Sequence, residues 1–196
     1  MRVMYIFVGL GNIGEKYALT RHNAGRRALV HFVHARGGSW VRSLKYVAQM
    51  WKGVIGDEEV LALLPETFMN HSGSSIQKAV TSKKQAEKLV VLYDDIDLPL
   101  GTVRISFNRG SGGHNGIKSV TDSIKTEAFA RIRVGISLSV KGLIKKPKDG
   151  EAVLEWVMGE FKKSEEKKME EVFVRVGEIM EHMVTHGVPS AMNMFN

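Results

Sequence analysis

One histidine in this chain stands where a base can work. His22 lies within residues 9–25, GLGNIGEKYALTRHNAG, beside Asn12, Tyr17, Arg21 and Asn23. Three further stretches carry side chains of the kinds that catalysis uses: Phe68-Met69-Asn70, Asp94-Asp95-Ile96-Asp97 and His114-Asn115. An unperturbed imidazole titrates near pH 6.5 and is half-poised at neutrality, which makes His22 the natural general base. A carboxylate such as Asp94 can hold the second ring nitrogen, fix the tautomer and stabilise the imidazolium, as in hydrolase triads. No serine is obviously aimed at His22 and the chain has no cysteine, so water is the expected nucleophile. The carboxamides of Asn12, Asn70 and Asn115 can orient an ester or amide carbonyl and bind developing oxyanion charge without titrating.

The same residues admit other functions. Asn70 and Asn115 can cap helices, and Asp94 to Asp97 can satisfy the amides of a turn. Asp94, Asp95 and Asp97 with His22 and His114 offer oxygen and nitrogen ligands for a divalent ion, although the acidic spacing is generic. Gly9-x-Gly11-x-x-Gly14 after a strand matches the dinucleotide fingerprint, which needs a helix opening at the glycines. Here the helical pattern starts about ten residues later, and no acidic residue ends a second strand at the distance a ribose requires.

These groups must be positioned by the elements around them. Residues 3–8 form an apolar run with the length of a buried strand, and Leu29, Phe32 and Val33 then fall on one face of a helix closed by Gly37-Gly38. Residues 45–55 and 60–64 read as an antiparallel pair turning at Gly56-Asp57. Residues 65–73 form a loop into a helix over 74–82, and residues 89–93 form a second all-apolar strand ending at an acidic turn. Residues 103–107 alternate as a half-exposed strand, a glycine-rich loop over 108–116 leads into a helix to about 124, and 132–136 is the last strand. Residues 138–150 read as a basic loop and 151–158 as a short helix. Ser164 is placed to cap a final helix with Glu165 and Glu166 in its first turn. Its stripe of Met169, Val172, Phe173, Val176, Ile179, Met180 and Met183 reads as core, and Gly187 and Pro189 stop it. Strands alternating with helices, plus a hairpin, predict an α/β fold: one domain over 1–196, a mixed twisted sheet sandwiched between helices, and a C-terminal amphipathic helix.

Charge adds a direction. The net +7 is uneven: residues 1–99 hold 13 Lys+Arg against 9 Asp+Glu, residues 100–150 hold 10 against 3, and residues 151–196 hold 5 against 9. The basic middle segment, with Arg104, Arg109, Arg131 and Arg133, is either a solvated face or a footprint for a polyanion such as nucleic acid. The absence of cysteine removes disulfides, thiolate catalysis and cysteine zinc sites. No apolar stretch approaches a membrane span, and the N-terminus shows no charged-then-apolar signal, so a cytoplasmic protein is the expectation.

Four motifs together resemble bacterial-type peptidyl-tRNA hydrolase: Gly9-Leu10-Gly11-Asn12-x-Gly14-x-x-Tyr17-x-x-Thr20-Arg21-His22-Asn23-x-Gly25, Phe68-Met69-Asn70-x-Ser72-Gly73, Asp94-Asp95-x-Asp97-Leu98-Pro99-x-Gly101, and residues 110–116, GSGGHNG. Their order and spacing agree with that family over nearly the whole chain. The resemblance implies a monomeric esterase that cleaves the bond between a peptide's C-terminus and the 3′ ribose of tRNA, with no metal or other cofactor. It implies that His22 activates water, that Asp94 stabilises its basic form, and that Asn12 checks that the amino group is acylated. Tyr17, Phe68, Asn70, His114 and Asn115 fall among its contacts to the substrate's 3′ end, Met69 lines its peptide channel, and Arg133, with Arg104, holds tRNA phosphate. Ile13 replaces the family's usual proline, Ser106 a frequent lysine, and Ser137-Leu138-Ser139 a glycine-histidine-proline-like turn. A non-catalytic RNA-binding module on the same fold, tolerant of losing His22, is the other class this pattern allows.

Overall fold

The computed structural model describes residues 4–147 and 149–196. Its centre is strand β1 (Tyr5–Gly9), an apolar run buried on both faces. Neighbouring parallel strands β4 (Glu58–Pro65) and β5 (Leu89–Pro99) flank it, and β7 (Ala130–Val140) runs parallel to β5. The edges are antiparallel: β3 (Ala48–Ile55) and β2 (Val41–Ser43) extend the sheet beyond β4, and β6 (Val103–Phe107) pairs with β7. The order is β2-β3-β4-β1-β5-β7-β6, with β8 (Leu143–Lys145) paired to β7. Among the described residues this is a mixed sheet of eight strands flanked by seven helices.

Alternation along the strands divides the core into two layers. Phe7, Leu92, Ile132 and Val134 face α1 (Ala24–Ala35) and α6 (Lys163–His186), whose stripe from Met169 to Met183 is buried as its spacing predicts. Val8, Leu63, Val91 and Tyr93 face α2 (Gly73–Ile76) and α4 (Asn115–Ile124) through Ile76, Ile117 and Val120. The β3–β4 hairpin turns at Gly56-Asp57, with Gly56 at φ 59°, as the dipeptide suggests.

Several expectations need correction. The acidic stretch after residue 93 is not a turn: β5 continues to Pro99, held by β7, with a register shift between Asp95 and Pro99. Ser137 supplies that support, since its Oγ donates to the Ile96 carbonyl at 2.6 Å and its own carbonyl accepts from Leu100 N–H at 2.7 Å. Residues 138–145 are not a loop but a hairpin of β7 and β8, turning at Lys141-Gly142, both at positive φ. Lys148, counted in the basic loop, lies outside the described residues. The helix expected over 74–82 shrinks to α2, and a short α3 (Lys83–Ala86), capped by Ser82, precedes β5. The first strand of the hairpin starts at Ala48, after Val47 at φ 51°, and not at residue 45. Lys162, and not Ser164, occupies the N-cap of α6, whose N–H is accepted by the Glu165 carboxylate at 2.7 Å. Beyond Gly187 an unexpected helix, α7 (Val188–Phe195), follows with Pro189 in its first turn. α5 (Gly150–Met158) lies where a short helix is expected.

Candidate active site

The β1 and β5 strands are parallel neighbours, and β1 ends at Gly9 opposite Leu92, so the first loop leaves the sheet where β5 runs on through Tyr93 and Asp94. The first loop folds into a 3-10 turn over Arg21–Asn23 and enters α1 directly. A β-carbon at Gly25 would stand 2.2 Å from the Leu92 carbonyl oxygen, so the absence of a side chain there lets α1 sit on the backbone of β5. That contact brings His22 to Asp94. The His22 Nδ1 lies 2.9 Å from both carboxylate oxygens of Asp94, and no residue described bonds its Nε2.

A second imidazole shares the carboxylate. His114 caps α4, with its Nδ1 accepting the Ile117 N–H at 3.2 Å, so the ring proton belongs on Nε2. Nε2 then donates to Asp94 Oδ1 at 3.0 Å. Burial alone would raise the Asp94 carboxyl, but the charges and hydrogen bonds of His22 and His114 outweigh it and hold that carboxyl far below the ordinary range. Burial likewise pushes His22 down, and the Asp94 charge and hydrogen bond overcome it, leaving the imidazole above its ordinary value. With Nδ1–H committed to an ionised partner, the neutral ring presents its lone pair at Nε2.

Asn12 is fixed by its neighbours rather than free to turn. Its backbone N–H donates to Asn23 Oδ1 at 2.8 Å, and Asn23 Nδ2 donates to its carbonyl at 3.0 Å. Its side-chain Oδ1 accepts the Met69 N–H at 2.9 Å, which leaves Nδ2 as an unused donor. The Met69 side chain is buried against Gly116, where a β-carbon would lie 2.4 Å from its sulfur. The first loop, the 68–71 turn and the start of α4 are therefore interlocked.

Above His22 and Asp94 opens a cleft of about 480 Å³, walled by the 109–115 loop, Arg133 and the α5 residues Val153, Leu154 and Val157. Asn12 is not part of that wall; with Asn23 it lines a second groove of about 690 Å³ beside α1 and α6. His22 and Asn23 thus face different depressions from one turn. Asn70 and Asn115 are exposed with uncommitted carboxamides, Phe68 is half-exposed, and its ring meets Tyr17 edge-on at 6.4 Å. Arg104 and Arg109 are exposed. Arg133 is not: its Nε donates to Asp95 Oδ2 at 2.7 Å and the side chain is almost buried.

Three features escaped the sequence reading. Asn23 as the clamp on Asn12 is signalled only by its place beside His22. His114 as a partner of Asp94 follows from the helix cap that aims its ring, and not from its type. Arg131 is wholly buried with one nitrogen on the Gly110 carbonyl, beneath the glycine-rich loop. The acidic residues divide: Asp95 holds Arg133 and Asp97 pairs with Lys146, so neither joins Asp94 in a ligand set. Among the described residues only His22, Asp94 and His114 group as metal ligands do, and both imidazoles hydrogen-bond to Asp94.

Comparison with known proteins identifies the family. A family model described as Peptidyl-tRNA hydrolase matches residues 6–196. A peptidyl-tRNA hydrolase of Alkaliphilus oremlandii is 41% identical over 98% of this chain and 100% of its own length. One from Clostridium acetobutylicum is 39% identical over 98% of each. The crystal structure of peptidyl-tRNA hydrolase from Acinetobacter baumannii superposes with a TM-score of 0.87 at 30% identity, covering 100% of this chain and 96% of that one. With a family match across almost its whole length, relatives of equal extent and the same fold, the chain belongs to the peptidyl-tRNA hydrolase family.

Proposed function

We propose that this chain hydrolyses peptidyl-tRNA, cleaving the ester between the C-terminus of a peptide and the 3′ ribose of tRNA, with His22 as the base that activates water. The observation that carries this reading is an imidazole bonded through Nδ1 to a buried, ionised Asp94 while Nε2 stays unbonded at a cleft. Water between Nε2 and the ester carbonyl gives its proton to the ring as its oxygen attacks the carbonyl carbon. Asp94 stabilises the resulting imidazolium, and His114 steadies Asp94 from the other side. When the tetrahedral intermediate collapses, the imidazolium returns the proton to the ribose oxygen, releasing a peptide acid and a free 3′ hydroxyl. An alcohol leaving group needs less help from a strong acid than an amine would.

Asn12 supplies selectivity. The Met69 N–H engages its carbonyl oxygen and fixes which way the carboxamide points, so its uncommitted N–H is the donor offered to the substrate. The carbonyl of an acylated amino group accepts such a donor, whereas a free ammonium brings donors of its own and leaves both sides unpaired. A substrate held across the 21–23 turn meets His22 on one side and Asn12 on the other. Asn70 and Asn115, with Tyr17 and Phe68, are available for the 3′ end, and Arg104 and Arg109 for phosphates; Met69 acts through its backbone and packing. Arg133 organises Asp95 and adds positive potential to the cleft. The enzyme works as a monomer in the cytoplasm, and the proposed chemistry calls on no metal.

Release of labelled peptide from peptidyl-tRNA by the native protein and by folded His22→Ala tests the assignment. Turnover that persists in His22→Ala refutes the base; turnover that vanishes in chelator refutes metal-free chemistry; equal cleavage of unblocked aminoacyl-tRNA refutes the selectivity.

A further inference from the structure

The residue before the base has no part in the chemistry described so far, yet it is among the most constrained side chains in the molecule. Arg21 is buried, and its Nη2 donates to Glu165 Oε2 at 3.0 Å. The guanidinium centre lies 4.3 Å from the Trp156 ring and 5.2 Å from that of Phe161. Its backbone N–H donates to the Gly159 carbonyl at 2.9 Å, and Thr20 bridges to Glu160. The Glu165 oxygen that receives the guanidinium also caps the first turn of α6 through the Lys162 N–H. A planar, always-charged group fits this slot because it can stack and pair at once.

The partners in this slot are different from those that define the site. His22 holds Asp94 and Asn23 holds Asn12. Arg21 fastens the same turn to the junction between α5 and α6. α5 also supplies Val153, Leu154 and Val157 to the wall of the cleft. Resting on the reading of His22 as the base, we infer that Arg21 is a positioning residue: clamped by Glu165, Trp156 and Phe161, it sets the orientation of the His22 ring and registers it against the α5 wall. Arg21 lines neither the cleft beside His22 nor the groove beside Asn12, and it acts only through His22. A general base loses about 10²-fold in rate for a displacement near 1 Å, so a slack clamp shows in turnover before it shows in binding.

Arg21→Lys keeps the charge but loses the planar fork and stack. Glu165→Gln keeps an acceptor for the Lys162 N–H but loses the charge. Each is compared with the native protein and His22→Ala on peptidyl-tRNA, well below the melting temperature and with folding checked by circular dichroism. The expected result is a fall in kcat of roughly 10-fold or more with KM within about twofold, and an acid limb of the rate profile displaced to lower pH as the His22–Asp94 contact slackens. Folded variants with native kcat and an unmoved acid limb, or with the loss confined to KM, overturn the inference. Should neither fold, Trp156→Phe, which leaves the ion pair intact, decides: a fall in kcat in the same direction supports the clamp, and native kcat overturns it. If His22→Ala retains turnover, the base assignment itself has failed; if only the clamp variants are silent, the positioning claim alone falls.

Discussion

At the scale of single residues, the division of labour proposed for His22 and Asp94 can be read from the sequence, because only a few side-chain types can act as a base near neutrality and steady it. What the sequence cannot show is which groups complete the set. Arg21 and Glu165 are separated by 144 positions and meet only in the folded chain. His114 reads in the sequence as a substrate contact, and its bonds to the Ile117 N–H and to Asp94 come to light only in the folded chain. The residue-scale consequences are direct. His22→Ala should lower kcat by roughly 10²–10⁴-fold, the usual worth of a positioned base, with a native circular dichroism spectrum. His114→Ala removes a donor from the buried Asp94 and should reduce kcat less than His22→Ala does, measured under saturating substrate; an equal loss would make His114 a second obligatory group.

At the scale of elements, the apolar strands and amphipathic helices are legible because period-two and 3.6-residue patterns report burial directly. The failures share a cause. Asp94 to Asp97 has the composition of a turn, but hydrogen bonds from β7, 40 or so positions later, extend the strand through it. The β7–β8 hairpin is basic with exposed apolar residues, so no buried face marks it as sheet. Close approach governs the joints between elements. Gly116→Ala puts a methyl group into the space of the Met69 sulfur, and overpacking of this kind typically costs about 1–3 kcal/mol. The expected result is a lower denaturant midpoint at unchanged m-value, together with a fall in kcat/KM because the Met69 N–H that fixes Asn12 moves. A midpoint equal to that of the native protein would show that the joint is looser than drawn.

At the scale of the whole molecule, the charge map combines a catalytic cleft with a basic middle segment. The family's substrate is a polyanion, so attraction to it should weaken steeply with salt. Arg104→Ala and Arg109→Ala should each reduce the slope of log affinity against log salt by about 1, as loss of one phosphate contact does. Arg133→Ala should change that slope less, because its guanidinium is already paired with Asp95 and almost buried. The reverse order would mean that Arg133 leaves Asp95 to meet the nucleic acid. No described helix is long and apolar enough to cross a membrane.

The most direct test is the pH dependence of kcat in the native protein and in Asp94→Asn. In the proposed mechanism the neutral His22 ring is the active form, and Asp94 lifts its midpoint above the ordinary value near 6.5, so native turnover should fall as the pH drops through a midpoint higher than 6.5. In Asp94→Asn the lowering effect of burial is unopposed, and the residual activity should show an acid limb displaced below that of the native protein. An acid limb that stays in place when the carboxylate is neutralised, or native turnover with no acid limb at all, would contradict a base held and tuned by Asp94.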